Sequence, residues 1–521
     1  MKVSHETSGK APQYPPDVVE QAFQRFRSRV FESNIIPDKF YPRKASFEPE
    51  IESSRLTIDT VEVTQFPTKS NSNSLSSEAY AIDVSCDPPL IIVETITPEG
   101  AIRAFDSLAQ LFYAHSASDP PKAVYTSCAP ISVKDAPEYH HRGLMLDISR
   151  NWIPPQDVKR TISAMGFNKL NKLHLHATDS QSWPLEVPSI PELAREGAYR
   201  PDLIWRAKDL EDVQRHGLYH GVEVYVEIDM PGHTGSIVHS HPEFLTAYNE
   251  HPWEKYAAEP PAGQLQLNSS DALAFIKKIL EDVLPRVVPF STSFHIGGDE
   301  LNKECHRLDP TIKSSDKIKI APHLQNFMDH SISVVTAHSL VPHVWEDMLV
   351  QWDLHFPKET VFHAWLPNGL RSVVEKGHLA IFGCHTDWYL DCGFGTFIDP
   401  DKGKKGPGVK YPYPDWSPPY KNWRQILAYD PLKDIPKDKQ YLVIGGEVKL
   451  WSELTDSVTL DFMLWPRSAA AAEVLWKGKG EVGEDNTRKL AEMRERLVKT
   501  GIAAGMVQME WALRNKGECI L

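Results

Sequence analysis

The chain has 521 residues, 41% hydrophobic and 24% charged, with 56 basic against 70 acidic side chains and a formal net charge of −14. That length admits one large domain with a smaller companion and a sizeable core, and the acidic balance, which repels phosphate backbones, argues against nucleic acid as a partner. No apolar run reaches the roughly 18 to 20 residues a membrane span requires, and six cysteines without CxxC or CxxH spacing argue against a disulfide framework or a cysteine-bound metal.

The opening MKVSHETSGKAPQYPPD lacks the apolar core of a signal peptide. The reading is therefore cytoplasmic if Met1 is the native start, and secreted if the chain begins after processing. Up to residue 137 the pattern is a small non-catalytic α+β domain. A helix (VVEQAFQRFRSRVF) is followed by extended segments (RLTIDTVEVTQF, EAYAIDVS, LIIVETIT) and a second helix, EGAIRAFDSLAQLFYAH, with Ile102, Phe105, Leu108, Leu111 and Phe112 at helical spacing. KSNSNSLSSE between them reads as a polar surface loop.

From residue 138 to 521 short apolar runs alternate with helical patterns, as parallel βα units do. The strands are RGLMLDIS, NKLHLHATD, VEVYVEID, SFHIGGDE, PHVWEDM, TVFHAW, LAIFGCH and YLVIGGEVKLW. The helices between them include DVKRTISAMGF, LEDVQRHGLY, ALAFIKKILEDVL, LQNFMDHSISVVTAH, LRSVVEKG and SVTLDFMLWPRSAAAAEVLW. This predicts a (β/α)8 barrel with an insertion rich in Pro, Tyr and Trp between about residues 391 and 440.

The strands close on polar and aromatic residues that a barrel gathers at its C-terminal mouth. These are Asp147 and Arg150, Asp179, Asp229 with His233, Asp299 with Glu300, Trp345 with Glu346, Trp365, Tyr389 with Asp391, and Trp451 with Glu453. Carboxylates walled by indoles suit a sugar, whose C–H faces stack on aromatic rings while its hydroxyls hydrogen-bond. In FHIGGDE two glycines precede an Asp–Glu pair. On an extended backbone those two side chains would point apart, which suits them poorly as the carboxylate pair that flanks a scissile bond in most glycosidases.

The segments HRGLMLDISRNW, NKLHLHATDSQSWPLE, EIDMPGH, FHIGGDE, VWEDM, WYLDCG and GGEVKLWSE together resemble family 20 glycoside hydrolases, the β-N-acetylhexosaminidases, and most closely their fungal members. The resemblance implies exo-acting, retaining hydrolysis of terminal β-linked N-acetylglucosamine, with N-acetylgalactosamine as second candidate, from chitooligosaccharides or glycans. The substrate's own acetamido group would be the nucleophile, through an oxazolinium intermediate. It further implies Glu300 as general acid and base, Asp299 as partner of the acetamido nitrogen, Asp179 and His233 as a relay to Glu300, and Tyr389 as donor to the acetamido oxygen. Arg150, Asp391 and Glu453 would take sugar hydroxyls, and Trp345, Trp365 and Trp451 would line the pocket. No cofactor or metal is implied, and a homodimer is common in such enzymes.

Departures from the family pattern are Leu175, where many members have Trp, and Ser417, Pro418 and a lone Cys519, where secreted fungal relatives carry cysteines, one of them to pair with Cys392. Each residue has a plainer reading: core packing for the indoles, pairing with Asp147 for Arg150, a loop aromatic for Tyr389. Asp147 and Asp229 read as supporting carboxylates, and His216 and His220, four apart on a helix, as exposed. Two other functions compete. His174 and His176 lie two apart on a strand and face one side, so the barrel could be a metal-dependent hydrolase; or it could be a catalytically silent barrel that binds amino sugars.

Overall fold

The computed structural model describes residues 13–50, 57–66, 77–117, 123–399 and 408–520; the N-terminal dozen residues and all but the end of KSNSNSLSSE lie outside them. Strands β1 (Val61–Gln65), β2 (Tyr80–Cys86), β3 (Pro89–Thr95) and β4 (Ile131–Asp135) form one sheet in the order β1-β3-β2-β4. β2 is antiparallel to both neighbours, with Ile82 opposite Val93 and Val133, and β1 is parallel to β3. Alternate residues of β2 and β3 are buried, and helix α2 (Pro98–Leu108) crosses that face with α1 (Val18–Phe31) packed on it. α2 opens with Pro98, whose missing N–H no helical bond needs, and Thr97 caps it by accepting from the Gly100 N–H at 3.1 Å.

The barrel runs β5 (His141–Asp147), β6 (Lys172–His176), β7 (Glu223–Glu227), β8 (Ser293–His295), β9 (Val341–Trp345), β10 (Val361–Ala364), β11 (Leu379–Phe382) and β12 (Val443–Leu450), all parallel and closed. β12 pairs with β5, and β7 meets β8 through a single pairing of Glu227 with His295. Helices α3 (Pro155–Phe167), α4 (Ala207–Tyr219), α5 (Ser270–Val287), α6 (Lys317–Ala337), α7 (Gly369–Glu375) and α8 (Arg467–Lys477) accompany the strands, so the fold is the expected (β/α)8 barrel.

Four details depart from the expectation. Pro466 splits the last predicted helix into Leu460–Leu464 and α8, because its ring cannot continue the helix. A charged C-terminal helix, α9 (Glu484–Lys499), and strand β4 were not foreseen. His216 and His220 are not exposed: their rings lie 4.4 Å apart with both Nε2 atoms turned to Ser163 Oγ of α3, and burial pushes His220 well below the ordinary imidazole value.

The period of two along the strands sorts two sets of residues. Leu173, Leu175, Val224, Val226 and Phe294 join the apolar cluster shared with the helices. His174, His176, Tyr225, Glu227, His295 and Glu447 form a polar network of hydrogen bonds and stacked rings, with His174 stacked on His295 at 4.6 Å. The N-terminal sheet is tied to the barrel by Glu78. It accepts Arg103 Nε at 2.8 Å and both its oxygens take Arg142 Nη2, at 2.6 and 2.7 Å; both guanidinium side chains are fully buried. All six cysteines are free thiols. Among the described residues no helix is long and apolar enough to cross a membrane.

Candidate active site

At the C-terminal ends of the strands lies a cavity of about 410 Å³, inside the usual range for small-molecule pockets. Arg150, His233, Asp299, Glu300, Trp365, Tyr389, Asp391, Trp451 and Glu453 all line it. Two expected residues do not. Asp179 is buried behind His233. Trp345 lies beneath the wall, packed with Met145, Trp365, Tyr389 and Trp451, and gives its indole N–H to Glu227 at 2.7 Å.

The Asp–Glu pair is not on extended backbone. Strand β8 ends at His295, and Gly297, Gly298 and Glu300 have φ of +80°, +105° and +50°. A side chain at Gly297 would put its Cβ 1.8 Å from Asp229 Oδ1. The two glycines therefore turn the chain so that both carboxyls reach one imidazole. His233 Nε2 lies 3.3 Å from Glu300 Oε2 and 3.9 Å from Asp299 Oδ2, while its Nδ1 is 3.1 Å from Asp179 Oδ1.

Burial disfavours charge on Asp179, yet Arg150 and His233 hold its carboxyl far below the usual range. Burial also disfavours the His233 imidazolium, which Asp179 and Asp299 nonetheless hold well above the ordinary value. Asp299 goes the other way: burial first, then the charge of the neighbouring Asp229 carboxyl, push it well above the usual carboxylate range.

Arg150, on the other oxygen of the Asp179 carboxylate, is engaged on every side. Its Nη2 meets Asp179 Oδ2 and Glu259 Oε1, both at 2.8 Å, its Nη1 lies 3.5 Å from Asp147, and its guanidinium stacks over Trp451 at 4.7 Å. The pairing with Asp147 is thus real but is one of several. Burial pushes Asp391 up to about 6 and Glu453 well above its usual value.

Glu259 and Asp347 were not singled out in the sequence. Glu259 comes from the AAEPPAG loop, which carries no chemical signature. Asp347, not its neighbour Glu346, faces Glu300: it accepts the Trp365 indole N–H at 2.7 Å, and burial and then Glu300 raise it to about 6. Glu346 instead accepts the backbone N–H groups of Trp365 and Leu366. Trp416 and Phe397, from the insertion, complete the aromatic wall.

The metal reading of His174 and His176 meets a geometric obstacle. Both rings are fully buried below the pocket, whereas a catalytic ion needs an open position for water or substrate. His176 already faces Glu227 at 2.6 Å and Asp179 at 2.9 Å, His174 faces Glu227 at 2.9 Å, and these are hydrogen-bond lengths. Ligand atoms around a tetrahedral zinc, at bonds of 2.0–2.1 Å, stand about 3.3 Å apart.

Comparison with known proteins agrees with this geometry. Residues 139–479 match the family described as glycosyl hydrolase family 20, catalytic domain, and residues 2–111 match one described as beta-acetyl hexosaminidase like. A beta-hexosaminidase of Arthroderma benhamiae is 44% identical over 96% of this chain and 85% of its own. A chitooligosaccharidolytic beta-N-acetylglucosaminidase of Ostrinia furnacalis is 29% identical over 96% and 83%. Among solved structures, an exo beta-N-acetylglucosaminidase of Vibrio harveyi in complex with N-acetylglucosamine shares the fold, with a TM-score of 0.70 at 22% identity over 86% of this chain and 70% of that one. The chain belongs to glycosyl hydrolase family 20 and is a glycoside hydrolase.

Proposed function

We propose that this β-N-acetylhexosaminidase removes a terminal, non-reducing, β-linked N-acetylhexosamine by letting the substrate's acetamido oxygen attack the anomeric carbon. One observation carries the reading: Asp299 and Glu300 both converge on His233 Nε2, at 3.9 and 3.3 Å. Carboxyls gathered on one imidazole serve one side of the scissile bond and are not the opposed pair that supplies an enzyme nucleophile.

Protonated Glu300 gives its proton to the glycosidic oxygen as the acetamido carbonyl closes on the anomeric carbon. The bond to the leaving group breaks, and the ring nitrogen of the resulting oxazolinium carries positive charge and an N–H. Ionised Asp299 accepts that N–H and balances the charge. Glu300, now a carboxylate, takes a proton from the water that opens the ring, and two inversions leave the anomeric configuration retained. Asp179 and His233 hold Glu300 in place, Tyr389 donates to the acetamido oxygen, and Trp365 and Trp451 enclose the methyl group and sugar face above Trp345. Arg150, Asp391 and Glu453 take the hydroxyls, and Glu259 on Arg150 Nη2 helps read the 4-hydroxyl that separates the gluco and galacto sugars.

The test compares p-nitrophenyl β-N-acetylglucosaminide with its 2-hydroxy glucoside analogue, with and without chelator. Turnover of the acetamido substrate alone, indifferent to chelator, is expected. Equal turnover of both would remove the acetamido nucleophile, and chelator sensitivity would restore His174 and His176 as metal ligands.

A pH prediction follows from Asp299. Catalysis needs it ionised, and its carboxyl is held high by burial and Asp229, so kcat/KM falls as pH drops through a value well above the ordinary 3.9. Asp229→Asn keeps an acceptor for the Gly298 N–H, now 2.9 Å from Oδ1, but removes the like charge. The acid limb is expected to move to lower pH; an unmoved or raised limb would break the link between the two aspartates.

A further inference from the structure

Beneath the pocket, carboxylates and imidazoles alternate, hydrogen-bonded from His233 inward and meeting Glu300 by a close charge contact. The line begins at Glu300 Oε2, 3.3 Å from His233 Nε2, crosses that ring to Asp179 Oδ1 at 3.1 Å, and leaves Asp179 by its other oxygen for His176 Nε2 at 2.9 Å. His176 Nδ1 meets Glu227 Oε2 at 2.6 Å. Glu227 is itself held by the Trp345 indole N–H at 2.7 Å, with His174 Nε2 2.9 Å away and His295 Nδ1, which accepts the Gly297 N–H, at 3.1 Å. Asp179, His176 and Glu227 are each no more than 1% exposed.

We propose that His176 and Glu227 are positioning residues for proton transfer: Glu227 clamps the His176 ring, His176 fixes Asp179, and Asp179 aims His233 at Glu300. The proposal rests on the reading of Glu300 as acid and base. Its physical basis is the sharing of Asp179 Oδ2. That oxygen receives Arg150 Nη2 at 2.8 Å as well as His176 at 2.9 Å. Arg150 faces the sugar and must adjust its contacts as substrate enters and product leaves. With Arg150 as the only hold on Oδ2, each adjustment would swing the carboxylate and carry His233 off line. His176 cannot follow such motion, because both its nitrogens are taken and Trp451 lies edge-on to it at 4.8 Å. The buried clamp thereby separates sugar binding from proton transfer, although both use one aspartate.

A structural defect slows every substrate alike, whereas a proton-delivery defect spares a leaving group that needs no proton. The experiment measures kcat/KM for chitobiose, with its basic sugar leaving group, and for 2,4-dinitrophenyl β-N-acetylglucosaminide. The proteins are wild type, Glu227→Gln, the conservative Glu227→Asp, and Glu300→Gln as reference. Glu227→Gln is expected to lose about tenfold or more on chitobiose and under about threefold on the dinitrophenyl substrate, a smaller effect than the roughly 10²–10⁴-fold of the general acid itself, with Glu227→Asp in between. Should Glu227→Gln not fold, His176→Gln carries the same expectation. Equal losses on both substrates, or none, would overturn the proposal. If Glu300→Gln itself fails to discriminate between the leaving groups, the reading of Glu300 falls; if only the Glu227 and His176 variants fail, the clamp alone falls.

Discussion

Replacing Glu300 by Gln is expected to lower kcat/KM on unactivated substrates by about 10²–10⁴-fold, the range general acid–base catalysis supplies, or about 3 to 5 kcal/mol of barrier at 1.36 kcal/mol per decade. Glutamine keeps the shape and the contact to His233 Nε2, now 3.3 Å, but has no acidic proton to give. The Glu300 side chain is one-third exposed, so the change leaves folding nearly untouched and the melting temperature is expected to stay within a degree or two. Asp299→Asn should be of similar severity yet fail differently: the amide cannot balance a cationic ring, so every acetamido substrate suffers regardless of leaving group. Retention of more than about a tenth of wild-type kcat/KM on chitobiose by Glu300→Gln would be too small a loss for a general acid.

The second large effect lies far from the pocket. Glu78→Ala is expected to destabilise the protein by about 3–5 kcal/mol, the cost of breaking a buried ion pair by removing one partner. Arg103 and Arg142, both fully buried, converge on that carboxylate, and neither can turn to water. Burial opposes the charge on Glu78, yet the two guanidiniums hold it down to about 2 against a reference of 4.5. Its stabilising contribution is therefore complete above about pH 4.5 and is lost as pH falls toward 2. In Glu78→Ala that part of the pH dependence should vanish, with a lower melting temperature at neutral pH and an unchanged kcat at low temperature. A variant as stable as wild type at pH 7 would show that the N-terminal sheet is held to the barrel by other contacts.

Much of the barrel could be read from the residues because two periodicities carry it. LHLH on β6 alternates apolar and polar, and the helices repeat apolar positions at turn spacing, as Phe275, Ile276, Ile279, Leu280 and Val283 do on α5. Nine of the residues that close the strands line the cavity because a parallel barrel brings all C-terminal ends to one rim, whereas Asp147, Asp179, Asp229, Trp345 and Glu346 do not reach it. Other features depend on contacts no local pattern encodes. The FHIGGDE segment reads as extended until the positive φ values of Gly297, Gly298 and Glu300 turn it. α9 hides behind its charge, since EDNTRKLAEMRERLVK offers few apolar positions, and it buries Leu490, Ala491 and Leu497. Glu259 sits in a loop without a motif, and only its contact with Arg150 reveals it. The histidine and glutamate interior was invisible for a related reason: His141, His343 and His363 lie on separate strands and meet only when the barrel closes.

The claim at the centre of this account is that the substrate's acetamido oxygen, and no side chain, attacks the anomeric carbon. The most direct measurement is kcat/KM for p-nitrophenyl β-glucosaminides whose N-acyl group is acetyl, fluoroacetyl, difluoroacetyl or trifluoroacetyl. Fluorine barely changes the size of the group but drains electrons from the carbonyl oxygen. A steep, stepwise fall in rate along the series is expected. A rate independent of fluorination would contradict it and require an enzyme nucleophile that Asp299 and Glu300, drawn together on His233, are not placed to supply.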